Sequence, residues 1–308
     1  MPKPPTASAS VLRIGTRRSP LALWQAEWLC ARVRERCADV EPLLVPMQTS
    51  GDRVQGPLHL HGGKGLFVKE LDAALLAGTI DCAIHSLKDV PGILAEGVAL
   101  GAISTRESPW DLLVLREPWP LAALPRGARI GTSSPRRRWQ LSAWRPDLQV
   151  VELRGNVGTR LQHVTDGTLD GTVLAEAGVR RLGLVPAHAV RLPLEIMIPA
   201  IGQGVLAVTV RPDDAAATTT VRQACHDPRE AVLVAAERAL LAEIEGDCHT
   251  PLAGLATWDG DAIRLQAFLA MADGQRMCRE TEVGSAAQAA ALGTALARRL
   301  RTAIGNAG

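Results

Sequence analysis

The chain has 308 residues, with 34 Lys and Arg against 32 Asp and Glu, and a formal net charge of +2. That balance excludes a general nucleic-acid coat and confines anion binding to focused clusters; the absence of Tyr also weakens base stacking on single strands. The length allows two or three domains with cores of their own, and no apolar run approaches a membrane span.

Residues 1–10 are rich in Pro, Ser and Ala, lack the apolar segment of a secretory signal, and read as a short disordered tail. Residues 11–15 read as a buried strand running into Thr16, Arg17, Arg18, Ser19 and Pro20. Ser19 would cap, and Pro20 open, an amphipathic helix over 21–36. Gln25 on that helix stays open between a surface amide and a ligand contact. A second strand over 43–48 leads into a polar, Gly-rich passage, 49–65, which reads as a mobile loop. Its Gly62-Gly63-Lys64-Gly65 lacks the order of a nucleotide phosphate loop. His59 and His61 have no carboxylate or thiol at matching spacing and read as exposed loop residues. A helix over 66–76 would turn Phe67 and Leu71 inward.

The strand over 81–85 ends in Ser86, Leu87, Lys88, Asp89, Val90 and Pro91. Asp89 could pair with Lys88 or an Arg. Its place at a strand end, among cations that a ligand would neutralise, makes it the general acid/base candidate. Strands follow over 98–103 and 111–115, with 104–109 crossing between domains.

Two stretches then repeat one grammar. The strand over 128–130 enters Gly131, Thr132, Ser133, Ser134, Pro135, Arg136, Arg137 and Arg138. The strand over 148–153 enters Arg154, Gly155, Asn156, Val157, Gly158, Thr159 and Arg160. In each, small polar residues cap a helix, so free backbone N–H groups would point outward beside guanidinium groups. An isolated Arg run is a solvated face. Two such traps at successive strand ends favour a bound polyanion, because ligands of open α/β sheets gather at the carboxyl ends of strands.

Further on come a strand over 172–174, a helical turn over 179–182 with Gly183 as its stop, and strand-and-turn chemistry over 198–204. Arg180 and Arg181 share a turn, and sequence does not separate their roles. The apolar run 205–210 suggests a return to the first sheet. From 228 the pattern is α+β: a long helix to 245, strands near 252–258, 262–269 and 277–282, and a closing helix over 285–301. Gly246 is expected to end the first of these helices and place Cys248 on a turn, where a thiol can be exposed. Asp247 would raise that thiol's pKa, and a nearby Arg would lower it. Cys30, Cys37, Cys82, Cys225, Cys248 and Cys278 include no Cys-x-x-Cys pair, so no zinc site or disulfide framework is suggested and a reducing cytosol is the default.

Eight ordered motifs carry a specific resemblance: RIGTRRSPLALWQ (13–25), GGKGLFVKE (62–70), HSLKDVP (85–91), GTSSPRR (131–137), RGNVGTR (154–160), AGVRRLG (177–183), PAIGQG (199–204) and EGDC (245–248). From about residue 11 to the last helix the chain resembles the porphobilinogen deaminase (hydroxymethylbilane synthase) family. The resemblance implies an α/β fold of two periplasmic-binding-protein-like domains forming a cleft, 1–104 with 199–224 and 105–198, plus a small C-terminal α+β domain, 225–308. It implies a dipyrromethane cofactor joined through a thioether to Cys248, on which four porphobilinogen units condense with loss of ammonia before water releases the linear tetrapyrrole. By motif position it assigns Asp89 as the catalytic acid. Cofactor contacts would be Ser86, Lys88, Thr132, Ser134, Arg136, Arg137 and Arg160; substrate contacts would be Arg17, Ser19, Arg154 and Arg181.

A polycarboxylate chain of pyrroles suits Arg, whose fork binds carboxylates in pairs. Porphobilinogen and polypyrrole intermediates are then the partners, with no nucleic acid, membrane or metal, in a cytoplasmic monomer. Arg18, Ser50, Pro135, Thr209 and Asp247 depart from the family's pattern. A two-lobed anion-binding module without chemistry is the alternative, and the C-terminal cysteine separates the two readings.

Overall fold

The computed structural model describes residues 10–49, 68–246 and 250–305. Two compact units divide the chain: Met1–Val90, Leu94–Thr105 and Leu206–Ala231 form the first, and Pro91–Ile93, Arg106–Val205 and Val232–Gly308 the second.

In the first unit, β1 (Ser10–Arg17) runs parallel to β2 (Val40–Met47) and β3 (Cys82–Ser86). Strand β4 (Ala99–Ile103) closes the sheet, and β10 (Leu206–Val210) inserts antiparallel between β3 and β4, giving the order β2-β1-β3-β10-β4. Residues from β1, β3, β4 and β10 are fully buried beneath α1 (Pro20–Arg36) and α6 (Ala215–Cys225), with Ile14, Leu29, Val33, Ile84, Val208 and Val221 in one cluster. Each such aliphatic side chain contributes about 1.5–3 kcal/mol by leaving water, so this cluster fixes which face of each strand turns inward. Arg13 ties β1 to the start of β3: its Nη2 and Nε donate to the two Asp81 carboxylate oxygens at 2.6 and 3.0 Å. Helix α2 (Lys69–Leu76) buries Leu71, as the spacing predicts. Residues 50–67, with the expected loop, His59, His61, Phe67 and most of the GGKGLFVKE motif, lie outside the described residues.

The second unit holds two sheets. One has the order β7-β6-β8-β5-β9, from β5 (Asp111–Leu115), β6 (Arg129–Gly131), β7 (Gln149–Val151), β8 (Gly171–Ala175) and β9 (Ala189–Arg191). Strands β6, β7 and β8 are parallel, whereas β5 runs against β8 and β9. Both five-stranded sheets thus follow one plan, three parallel strands at one side and an antiparallel insert, as the expected α/β class requires. Helices α3 (Pro135–Trp144), α4 (Val157–Thr165) and α5 (Glu176–Arg181) leave the carboxyl ends of β6, β7 and β8.

The other sheet is the antiparallel meander β11 (Leu252–Asp259), β12 (Ala262–Ala270) and β13 (Met277–Ser285), packed with α7 (Pro228–Ile244) and α8 (Ala289–Gly305) over Leu240, Leu265, Leu296 and Leu300. It is the expected α+β region, with its own core, yet it shares a compact unit with the second sheet. Residues 199–205, expected in the first domain, also belong to the second unit; the return begins at Leu206. Of the strand-and-turn chemistry expected over 198–204 the turn is present, with Gly202 and Gly204 at φ of 71° and 90°, and the strand is not. A Cβ at Gly204 would stand 2.5 Å from the Glu107 carbonyl, so only glycine fits that turn.

Candidate active site

The two strand-end clusters belong to different units and are built differently. In the first unit, β1 and β3 are paired and parallel, so their carboxyl ends lie at one edge. Ser19 leaves β1 with extended backbone and accepts the Ala22 N–H at 3.4 Å, while Pro20 takes the first helical position. Strand β3 ends at Ser86 and passes into a single 3-10 turn, Leu87–Asp89. Gln25, left open by the sequence, is buried, and its Nε2 donates to Ser86 Oγ at 2.8 Å. A cavity of about 50 Å³ is lined here by Arg17, Ser19, Gln25, His85, Ser86 and Asp89. Arg17, Lys88 and Asp89 are half-buried.

His85 is buried beneath them, its Nε2 3.0 Å from Thr209 Oγ1. Thr209 Oγ1 also lies 3.5 Å from the Ala83 carbonyl, a second partner for its hydroxyl. Burial, and secondarily the Arg17 charge, push the His85 pKa down to about 4. At neutral pH this imidazole is uncharged.

In the second unit the cations stand on the helix rather than on the strand. Thr132 is buried; its N–H donates to Val151 O at 2.9 Å and its Oγ1 accepts the Ser134 N–H at 3.2 Å. Ser134 caps α3 by accepting the Arg137 N–H at 3.5 Å, and Pro135 opens the first turn. The caps are as the sequence predicts, but the guanidinium groups are not turned outward. Arg136 and Arg137 are 4% and 5% exposed and converge on Asp111. Arg136 Nη1 donates to Asp111 Oδ2 at 2.8 Å and to Ile198 O at 2.7 Å. Arg137 Nη2 donates to Asp111 Oδ1 at 2.7 Å, and its Nη1 to Val173 O at 2.8 Å. Gln203 Nε2 adds a hydrogen bond to Asp111 Oδ1 at 3.1 Å. Burial alone would raise the Asp111 pKa; the two arginine charges overcome it and hold the carboxyl well below the usual carboxylate range. The physical reason for this inward turn is topological: β5 runs antiparallel to β8, pairing Asp111 with Ala175 and placing an acid among the carboxyl ends of β6 and β8.

At the end of β7, Asn156 caps α4 and accepts the Thr159 N–H at 2.9 Å after Gly155 at φ 106°. Arg154 pairs with Glu152 at 3.2 Å, and Arg160 Nε donates to Gly155 O at 2.8 Å. Arg180 and Arg181 have different surroundings on α5. Arg180 and Arg191 both bind the buried Glu176 carboxylate, at 2.8 and 2.7 Å, and Ser108 donates to it as well. Arg181 is more deeply set and donates to Gly204 O at 2.6 Å; burial, opposed by Glu107, pushes its pKa down to about 10.

Helix α7 ends in a pair of closing bonds, Glu245 N–H to Ala242 O at 2.9 Å and Gly246 N–H to Leu241 O at 3.0 Å. The helix ends here as expected, and the left-handed residue of its closing turn is Glu245, at φ 55°. Gly246 is buried, a Cβ there meeting Leu241 Cδ1 at 3.0 Å. Asp247, Cys248 and His249 lie outside the described residues. Among the described cysteines, Cys30, Cys37, Cys82 and Cys225 are buried and Cys278 half-buried. Burial raises all five thiols, Cys225 to about 12, which leaves none of them a ready nucleophile at neutral pH. The described residues contain no group of three or more His, Cys, Asp or Glu side chains able to hold a metal, and no helix long and apolar enough to cross a membrane.

The sequence reading missed Asp111, Gln203, Glu176 and the His85–Thr209 pair as parts of these clusters. Its one available signal was an acid opening the otherwise apolar run 111–115.

Comparison with known proteins agrees with these motifs. The family model described as porphobilinogen deaminase, dipyromethane cofactor binding domain, matches residues 12–219, and that of the porphobilinogen deaminase C-terminal domain matches 231–302. A porphobilinogen deaminase of Geobacter metallireducens is 46% identical over 290 residues, covering 94% of this chain and 91% of that protein. One from Xanthomonas axonopodis pv. citri is 46% identical over 292 residues, covering 94% and 96%.

Proposed function

We propose that this chain, which belongs to the porphobilinogen deaminase family, condenses four porphobilinogen units stepwise, with loss of ammonia, and releases hydroxymethylbilane by hydrolysis. The observation that carries the reading is the match of both family domains along the chain, with the Asp89 and Cys248 motifs in place. The cofactor is a dipyrromethane, which when bound supplies the terminal pyrrole carbon that takes up the next unit. Its attachment is proposed at Cys248, a reading supported by the unreactive state of the five described thiols.

The donor set suits a polycarboxylate. Ser19, Ser134 and Asn156 cap helices, with Arg17 two residues before the first cap in sequence and Arg154 and Arg160 flanking the last. Arg17, Ser19, Arg154 and Arg181 are assigned to incoming substrate carboxylates, and Ser86, Lys88, Thr132, Ser134 and Arg160 to those of the cofactor. Arg136 and Arg137 keep a cofactor role in altered form: with Asp111 they carry one net positive charge behind Thr132 and Ser134, as frame and field.

Asp89 donates a proton toward the departing amine of porphobilinogen, stabilises the pyrrole cation left on the substrate, and accepts the ring proton after bond formation. Gln25 orients Ser86 three residues away, and neutral His85 adds no competing positive charge. Porphobilinogen and growing polypyrroles are its partners, with no nucleic acid or membrane, in a cytoplasmic monomer.

Intact-protein mass of the parent beside Cys248→Ser tests the reading. An added mass of two linked pyrrole units in the parent alone is expected. A parent left unmodified after expression with ample porphobilinogen overturns it in favour of a module that only binds anions.

A further inference from the structure

Immediately beyond Asp89 the chain makes a three-residue excursion. Residues through Val90 and from Leu94 belong to the first compact unit, whereas Pro91–Ile93 belong to the second, together with most of α7. Two independent features fix the excursion to that helix. Arg238 Nη2 donates to both the Pro91 and the Gly92 carbonyls, at 3.0 Å each. Gly92 lies so close to α7 that a Cβ would stand 3.0 Å from Leu241 Cγ, 3.1 Å from Ala242 N and 3.2 Å from Ala242 Cα. Two of those three neighbours are helix backbone, which cannot swing aside.

The arrangement is costly, which argues that it is kept for a reason. Arg238 Nη1 is buried without a hydrogen-bond partner among the described residues, and burial pulls the guanidinium pKa down. The helix supporting it is rigidly seated. The neighbouring Glu237 is fully buried and accepts Gly202 N–H at 2.7 Å, Ala256 N–H at 2.8 Å and Arg106 Nη2 at 2.8 Å. The Asp89 segment, by contrast, is a single 3-10 turn closed by Val90 N–H to Leu87 O at 3.0 Å. Such a turn does not by itself hold a carboxyl in register.

We infer that Arg238 and Gly92 form a clamp that positions Asp89. Arg238 is a positioning residue for the reaction proposed above, acting through the Pro91 and Gly92 carbonyls, and the inference rests on that reading. Misplacing a catalytic group by about 1 Å from a distance slows turnover without loosening substrate, so kcat should move and KM should not.

The test compares the parent with Arg238→Gln, Arg238→Lys and Gly92→Ala, each checked by intact mass for the covalent cofactor. In loaded Arg238→Gln and Gly92→Ala, kcat is expected to fall about tenfold to a hundredfold while KM for porphobilinogen stays within about twofold. Arg238→Lys, which keeps a cation able to reach both carbonyls, should recover part of the loss. Deuterium uptake of a peptide covering residues 86–93 should rise in Arg238→Gln, with uptake over 10–17 unchanged. Unchanged kcat in both loaded variants, or faster uptake spread over the whole first unit, overturns the clamp and leaves Arg238 a general scaffold residue. A parent with neither added mass nor turnover overturns the proposed function instead; the uptake comparison then still decides whether Arg238 restrains the Asp89 segment.

Discussion

The edge of the first sheet and the edge of the second use the same local grammar, strand, polar cap, proline, helix, and set their arginines in opposite surroundings. In the first unit Arg17 precedes the cap, on the strand, beside a small cavity that also receives Ser86 and Asp89. In the second, Arg136 and Arg137 follow the cap, in the first helical turn, and are drawn inward to Asp111. A basic residue in such a motif is therefore not defined by the motif. A nearby buried acid can draw it inward to brace the frame, and in the second unit that acid arrives on an antiparallel strand.

The largest expected effect separates the two acids by what they do. Asp89→Asn should leave the thermal midpoint and the cofactor mass unchanged while turnover falls by about 10²–10⁴-fold; near-normal activity of the purified variant would remove Asp89 from the chemistry. Asp111→Asn should do the reverse of that selective loss, destabilising the fold by about 3–5 kcal/mol, because two buried guanidinium groups lose their counter-charge. Urea unfolding measures it, and a midpoint equal to the parent's would show that the pair is neutralised by other means.

Acid titration sharpens the contrast further. The folded-state pKa of Asp111 is depressed, so its contribution is complete above the ordinary value of 3.8 and is lost as pH falls below it. His85 is a base with a depressed pKa, so the unfolded chain binds its proton first. Stability therefore declines as pH falls from about 6.5 to about 4 and gains nothing from this group above that window. Urea midpoints across pH 8 to 3 should show both declines, and Asp111→Asn should lose the lower one only. The smallest effect concerns Thr209, whose hydroxyl gives His85 a neutral partner. Thr209→Glu should raise the His85 pKa from about 4, readable by NMR titration of the imidazole nitrogens, and should flatten the upper decline. An imidazole that titrates as before would show that burial alone sets its charge.

What was legible in the sequence was local. Ser19 with Pro20, Ser134 with Pro135, and Asn156 announce helix starts because the cap and the N–H it satisfies lie within three residues. Asp111 was not legible as a partner of Arg136, 25 residues on, because only the antiparallel course of β5 brings them together. The three-residue strand β9 and the Ala- and Thr-rich helix α6 escaped for want of a clear apolar period. At the end of α7 Gly246 announced the stop, but not that Glu245 takes the left-handed turn while Gly246 is buried. The catalytic assignment of Asp89 was suggested by its neighbours in sequence; the Arg238 contact that fixes its segment comes from 147 residues away.

The place of β10 in the first sheet has a consequence for synthesis on the ribosome. Strand β3, which ends at Ser86, has β10 as its neighbour on one side, and the His85–Thr209 contact across that seam joins residues 124 apart in the chain. At ordinary elongation rates the nascent chain must carry β3 with one edge unpaired for on the order of ten seconds, while the whole second sheet is being made. An open strand edge of that kind is a template for mispairing. The growing polypeptide therefore passes through a stage in which its acidic turn already exists but the sheet beneath it does not. Chaperone protection during that interval would affect yield of the protein without touching any property of the finished fold.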